Sequence, residues 1–299
     1  MAEIGVVRFA QVAREVVEAA LPRYRSPFSK HTFTQPTLLA ILCLMRYEDW
    51  TYREAETRLR EHAELRAALA IDRVPDFTTL YRCLRRIGED ELTRLLHETI
   101  RRMPLPPEGG TTVAVDGTGL APGAISAFFV NRARDRGQGL TWRHWLKWVV
   151  VVDLPRRLIL AQLAKPGPTN DCATLRPLLE QARHLVPIRC VLADAEFDSE
   201  RNHTFIRQVV GATSIIPAKR GKPTWRLHGV RAQMRANFPA APYRQRSGIE
   251  SVFSATKRKL SARAAGRLSC TQQAQALLLG IAIYLYRLRL APPFILTLS

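Results

Sequence analysis

Cysteine is scarce in this chain. Its five residues, Cys43, Cys83, Cys172, Cys190 and Cys270, are scattered, odd in number and never arranged as Cys-x-x-Cys. Neither a disulfide framework nor a zinc site is indicated, and the thiols read as reduced groups in a cytosolic protein. Long apolar runs are also missing. The best one, Ala276 to Tyr286, is interrupted by Arg287 and Arg289, leaving about half the ~20 residues a membrane span requires, so it reads as a buried helix. The segment Met1 to Leu21 spaces Ile4, Val7, Val12, Val16 and Val17 with charged residues, a pattern of an amphipathic helix rather than a signal peptide. No repeat or low-complexity segment interrupts the 299 residues.

Acid is the other shortage. Against 45 Lys and Arg stand 26 Asp and Glu, a formal net charge of +19. Such an excess implies a polyanionic partner, because neutralising phosphates releases condensed counterions and supplies affinity without sequence preference. Nucleic acid is favoured over membrane. The imbalance is sharpest from 219 to 267, where 13 Lys or Arg accompany a single acid, Glu250. Around it, Tyr243, Arg246, Glu250 and Lys257 would fall within about 60° of one another on an α-helix, at 100° per residue. One face then carries a carboxylate, two cations and a phenol. Arg246 and Glu250 are also an ordinary i,i+4 pair, so this face needs support from elsewhere in the chain.

The chain changes character near residue 104. Before it, Pro36 to Tyr47, Thr51 to Glu61, Leu65 to Ala70, Thr78 to Arg86 and Asp90 to Met103 carry apolar residues at three and four spacing, which predicts helices. The stretch from Asp76 to Arg86 reads as a capped helix with Arg82, Arg85 and Arg86 outward, suited either to a helix-turn-helix or to a small soluble bundle. Three prolines and two glycines then mark 104 to 110 as a linker. Thr112 to Asp116, Leu146 to Leu154 and Leu158 to Ala164 read as strands, followed by helix over 171–184, strand over 189–194, helix over 199–210, strand over 213–217, and helices over 245–260 and 271–290. The expected class is an α/β domain with a mixed sheet over 111–290, an all-α domain over 1–103, and a tail over 291–299.

Two aspartates close apolar strands on this scaffold. Asp116 ends Val-Ala-Val-Asp-Gly-Thr, where Gly117 is expected to let the chain turn away, and Asp194 ends Val-Leu-Ala-Asp-Ala-Glu-Phe-Asp-Ser. Singly, each reads as a turn or capping residue. On neighbouring strands they would sit side by side, and Glu250 from a crossing helix would complete an oxygen cage for Mg²⁺. Asp153 and Asp171 read as turn and helix-start residues, and Glu196 and Asp198 as supports for Asp194.

With these pieces in order, the segment from about 111 to 288 resembles the catalytic domain of a bacterial insertion-sequence DDE transposase, with a fold similar to ribonuclease H. The matching residues are Asp116-Gly117-Thr118, then Ala193 to Ser199, then the Tyr-x2-Arg-x3-Glu-x6-Lys signature at Tyr243, Arg246, Glu250 and Lys257. The resemblance implies a catalytic triad of Asp116, Asp194 and Glu250 binding two Mg²⁺, with Mn²⁺ able to substitute. It also implies that Tyr243, Arg246 and Lys257 contact DNA at the transposon end. Tyr52-Arg53-Glu54-Ala55 and Pro75-Asp76-Phe77-Thr78-Thr79-Leu80 resemble the N-terminal part of these enzymes, which would bind terminal inverted repeats. Only 56 residues (250 minus 194) separate Asp194 from Glu250, leaving little room for the large β-rich insertion that some relatives carry there.

Further phosphate contacts are expected at Arg143 and Lys147, within a basic stretch holding Arg132, Arg134, Arg136 and the tryptophans Trp142, Trp145 and Trp148, and at Lys219, Arg220 and Lys222. The tryptophans serve equally well as anchors against the sheet. The expected activity is Mg²⁺-dependent DNA cleavage and strand transfer by a homodimer on DNA, acting on transposon ends and target DNA in the cytoplasm at the nucleoid. A ribonuclease H-like nuclease without strand transfer, and a domesticated DNA-binding protein, are the alternatives.

Overall fold

Capping chemistry and apolar spacing fix most element boundaries. The computed structural model describes residues 5–28, 31–104, 109–122, 145–167, 169–219 and 228–290. In chain order, helices α1 (Val6–Ala20), α2 (Gln35–Glu48), α3 (Tyr52–Glu61), α4 (Ala63–Ala68), α5 (Phe77–Arg86) and α6 (Glu89–Arg101) precede strands β1 (Thr111–Leu120), β2 (Leu146–Asp153) and β3 (Leu158–Pro166). Then follow α7 (Leu175–Arg183), β4 (Ile188–Ala193), α8 (Glu200–Thr204), β5 (Thr213–Ile215), α9 (Gly229–Ala236), α10 (Ala240–Tyr243), α11 (Gly248–Leu260) and α12 (Ser269–Leu288). Thr34 caps α2, Thr51 and Glu54 form a reciprocal capping box on α3, and Asp76 caps α5. Each satisfies amide groups that a helix start leaves open.

Two units result, one of Met1–Pro104 with Thr256–Ser299, the other of Leu105–Ala255. In the helical unit α2 is buried along most of its length, from Pro36 to Arg46, so it needs neighbours on several sides. α1, α5 and α12 pack against it, and α12 also packs against α6. The sequence reading placed 256–290 with the sheet. In the structure this stretch clusters with the N-terminal helices, because α12 is apolar nearly all round and the exposed sides of α2 and α6 require cover. Arg46, almost wholly buried, donates to the carbonyls of Ser261 (3.3 Å) and Arg263 (2.7 Å) just beyond α11.

In the second unit the strand order is β3-β2-β1-β4-β5. β1 and β3 flank β2 antiparallel, whereas β4 joins β1, and β5 joins β4, in parallel. All eight residues of β2 are buried, as a strand covered on both faces demands. One cover is α7, which packs on β2 and β3. The other is α11, whose Phe253 ring meets Trp148 edge-on at 5.7 Å.

Several expected boundaries shift. β1 does not end at Asp116 but continues, paired with β2, to Leu120. The expected helix over 171–184 opens as a 3₁₀ turn (Cys172–Thr174), the one over 199–210 closes as a π-helix (Phe205–Val210) before Gly211 at φ 76°, and the one over 245–260 opens as a 3₁₀ turn (Arg244–Ser247). α9 and α10, of eight and four residues, are too short to announce themselves in the pattern.

Candidate active site

The parallel pairing of β1 with β4 runs to Val115 opposite Ala193. Asp116 and Asp194 are the next residues, side by side at the same end of the sheet. Asp194 caps the 3₁₀ turn Ala195–Phe197, its Oδ1 accepting the Glu196 amide at 2.8 Å. Asp116 Oδ1 accepts the Gly117 amide at 2.7 Å. Burial pushes the pKa of both carboxyls above the ordinary aspartate value, and their mutual repulsion adds to the rise at Asp116, against the lowering effects of the Gly117 amide and Arg246. At Asp194 the rise is supported by Glu196 and Asp171 and opposed by its amide bond and Arg246. Two adjacent carboxylates held in a desolvated place lack cationic compensation, and one arginine supplies part of it.

That arginine is Arg246. Its guanidinium donates to Asp116 Oδ2 at 2.6 Å and to Glu250 Oε1 at 3.4 Å, with its carbon 5.8 Å from the centroid of the Tyr243 ring. The four signature residues do not share one α-helix, as the spacing had suggested. Tyr243 ends α10, Arg246 lies in the 3₁₀ turn, and Glu250 and Lys257 lie in α11. The grouping of the first two survives because residues three apart eclipse in a 3₁₀ turn. α11 is seated by the buried Ile249, Val252 and Phe253, and an added Cβ at Gly248 would come within 3.2 Å of Leu154. Glu250 itself is well exposed and joins Asp116 through Arg246. Lys257 follows two turns further along α11, on the stripe of Glu250, with its pKa lowered by burial.

A family model described as the transposase DDE domain matches residues 107–286. This chain belongs to that family. Among curated proteins none matches it. DNA is the substrate class that membership brings, and the mixed sheet with covering helices is the ribonuclease H-like fold of such domains. No helix among the described residues is long and apolar enough to cross a membrane.

Elsewhere in the transposase, the charged residues distribute differently from the sequence expectation. Lys147, expected to contact DNA phosphate, is buried and ion-paired to Asp171 and to Glu196 Oε2, the latter at 2.9 Å. The Lys147 ammonium is thus engaged by one buried and one exposed carboxylate instead of being presented to solvent. Asp171, read as a helix-start residue, is buried and also binds Lys165 at 2.9 Å. Asp198 does not support Asp194. It is held by Arg231 through two bonds of 2.8 and 2.7 Å and accepts the Lys219 amide at 2.9 Å. Sequence reading missed Arg231, which looked like one more base in a basic stretch. Asp153 is structural as read, accepting from Thr111 Oγ1 at 2.6 Å.

Trp148 is fully buried, its Nε1 donating to Gln162 at 3.0 Å, and Trp145 lies over Gly119 and Gly167, so both act as anchors. Arg132, Arg134, Arg136, Trp142, Arg143, Arg220 and Lys222 lie outside the described residues. Arg82, Arg85 and Arg86 are exposed on α5. Arg82 and Arg86 also line a groove of about 1290 Å³ in the helical unit, together with Arg25, Arg60 and Arg73.

Among the described residues no three His, Cys, Asp or Glu side chains converge as a ready metal cage. The donor chemistry nevertheless fits a hard divalent cation. Asp116 and Asp194 are adjacent oxygen donors with raised pKa values, and Glu250 is linked to Asp116 through Arg246.

Proposed function

We propose that this transposase binds terminal inverted repeats and carries out Mg²⁺-dependent strand cleavage followed by strand transfer, with Asp116, Asp194 and Glu250 as its catalytic triad. The observation that carries the reading is the placement of Asp116 and Asp194 directly beyond the paired ends of β1 and β4, with Arg246 spanning Asp116 and Glu250. When bound, Mg²⁺ or Mn²⁺ supplies Lewis-acid stabilisation of the leaving oxygen and lowers the pKa of the attacking water or 3′-hydroxyl. The three carboxylates would hold those ions.

The chain's own residues contribute the rest. Arg246 moderates the repulsion between Asp116 and its neighbours and offers its remaining donors to a DNA phosphate, a geometry that guanidinium suits. Tyr243 adds a cation–π contact to it, with the guanidinium carbon 5.8 Å from the ring centroid. Lys257 and Lys219 serve as further phosphate contacts. Arg82, Arg85 and Arg86 on α5 bind the transposon end. Two copies of the chain pair two ends, in the cytoplasm at the nucleoid.

Asp116→Asn, Asp194→Asn and Glu250→Gln each test this. Every variant should retain end binding in a gel-shift assay and lose Mg²⁺-dependent cleavage by about 10²- to 10³-fold, the scale on which removing one charge-stabilising group acts. Undiminished cleavage by any of the three removes that residue from the triad. Covalently joined target products separate a transposase from a nuclease that only cuts.

A further inference from the structure

A chain of alternating charges runs across the sheet behind the two aspartates. Lys165 on β3 and Lys147 on β2 are direct cross-strand partners, an arrangement that repels unless an anion intervenes. Asp171, almost fully buried, is that anion, binding Lys165 through Oδ1 at 2.9 Å and Lys147 through Oδ2. Lys147 then reaches Glu196 Oε2 at 2.9 Å. Glu196 belongs to the 3₁₀ turn whose amide fixes Asp194 Oδ1 at 2.8 Å. The order is Lys165, Asp171, Lys147, Glu196 and finally Asp194.

The chain passes over β1 at Gly117, the residue after Asp116. A Cβ there would sit 2.8 Å from Lys147 Cε and 3.2 Å from Asp171 Oδ2. Side chains alternate across a strand, so Asp116 projects to the opposite face, where its register partner Val150 also points. One strand therefore presents a carboxylate on one face and a passage on the other.

We infer that Lys147 is a positioning residue of the active site: by clamping Glu196 against Asp171 across Gly117, it holds the turn that aims Asp194 beside Asp116. The inference rests on the assignment of Asp116 and Asp194 to a divalent cation. Lys147 touches neither substrate nor metal in this role. Its charge alone would repel a cation, so electrostatics and positioning predict opposite signs on removal.

Mn²⁺ binding to the full chain without DNA, followed by electron paramagnetic resonance, reads that sign directly. Lys147→Ala and Glu196→Gln should each weaken Mn²⁺ binding by about 10- to 100-fold, the range over which partners behind metal ligands act, while leaving gel-shift affinity for an end unchanged. Lys147→Met removes the same charge but keeps the buried aliphatic stem, so it keeps the test alive should Lys147→Ala fail to fold; Glu196→Gln removes an anion and is read only beside it. Unchanged or tighter Mn²⁺ binding in the folded variants overturns the inference, tighter binding showing Lys147 to be only a repelling charge. Asp194→Asn, measured alongside, tests the metal reading separately. If it binds Mn²⁺ like the wild type, that reading falls and takes the inference with it. If Asp194→Asn is impaired while Lys147→Ala is not, the positioning role alone is wrong.

Discussion

Gly117 is constrained by what crosses it. Its backbone is not in the left-handed region, so its need is for space rather than conformational freedom. Gly117→Ala should destabilise the protein by about 1–3 kcal/mol, the cost of forcing a methyl into a filled site, measured as a fall in the urea midpoint. Asp194 gives a second expectation with a definite sign. A carboxyl whose folded pKa is raised binds its proton more tightly in the native state, so it detracts from stability as pH rises from about the ordinary value of 3.8 through the raised one. Asp194→Asn removes that penalty and keeps a side chain able to cap the turn. Its melting temperature at neutral pH should exceed the wild type's, with the gain vanishing below pH 3.8. A gain that persists in acid would assign the effect to packing. The two aspartates stood out in the sequence because each follows a short apolar run, although Asp116 lies within β1 and not after it. The role of Lys147 was not, because cross-strand partners depend on a register that no local pattern encodes.

At the scale of elements, the 3₁₀ turn between α10 and α11 changes how the signature works. A single α-helix would have placed four side chains on one stripe by periodicity alone. Instead, α11 is positioned by packing and the turn swings Arg246 onto Asp116. Phe253→Ala tests the packing. It removes the edge-on stacking against Trp148 and leaves a buried cavity, at a cost of about 3–5 kcal/mol in a thermal melt. Cleavage should fall further than end binding, since Glu250 rides on the same helix. Strands were readable from short runs rich in Val, Ile and Leu, and most helices from apolar spacing and capping residues. The 3₁₀ and π segments were not, because their hydrogen-bond shift leaves the apolar spacing almost unchanged. β1 was read short at Gly117, where turn chemistry and close passage look alike.

For the whole molecule, the excess of cations governs affinity. With a net charge of +19, end binding should weaken steeply with salt, and removing one cation that neutralises a phosphate should reduce the slope of log K against log salt by about 0.9. Arg82→Gln and Arg86→Gln are expected to show that decrement in fluorescence anisotropy across a salt series. Unaltered slopes would place the DNA elsewhere than on α5.

The return of the chain to its first helices has a consequence for synthesis. The sheet and the residues proposed for its chemistry are all made before α12 emerges, yet α2 and α6 remain uncovered until it does. A product stopped before Ser269 would retain Asp116, Asp194 and Glu250 but display the apolar flank that α12 normally shields. Such a fragment is expected to aggregate or to be cleared by chaperones and proteases, measurable as a fall in its soluble yield. Emergence of α12 is thereby the step that closes the helical unit over α2 and α6.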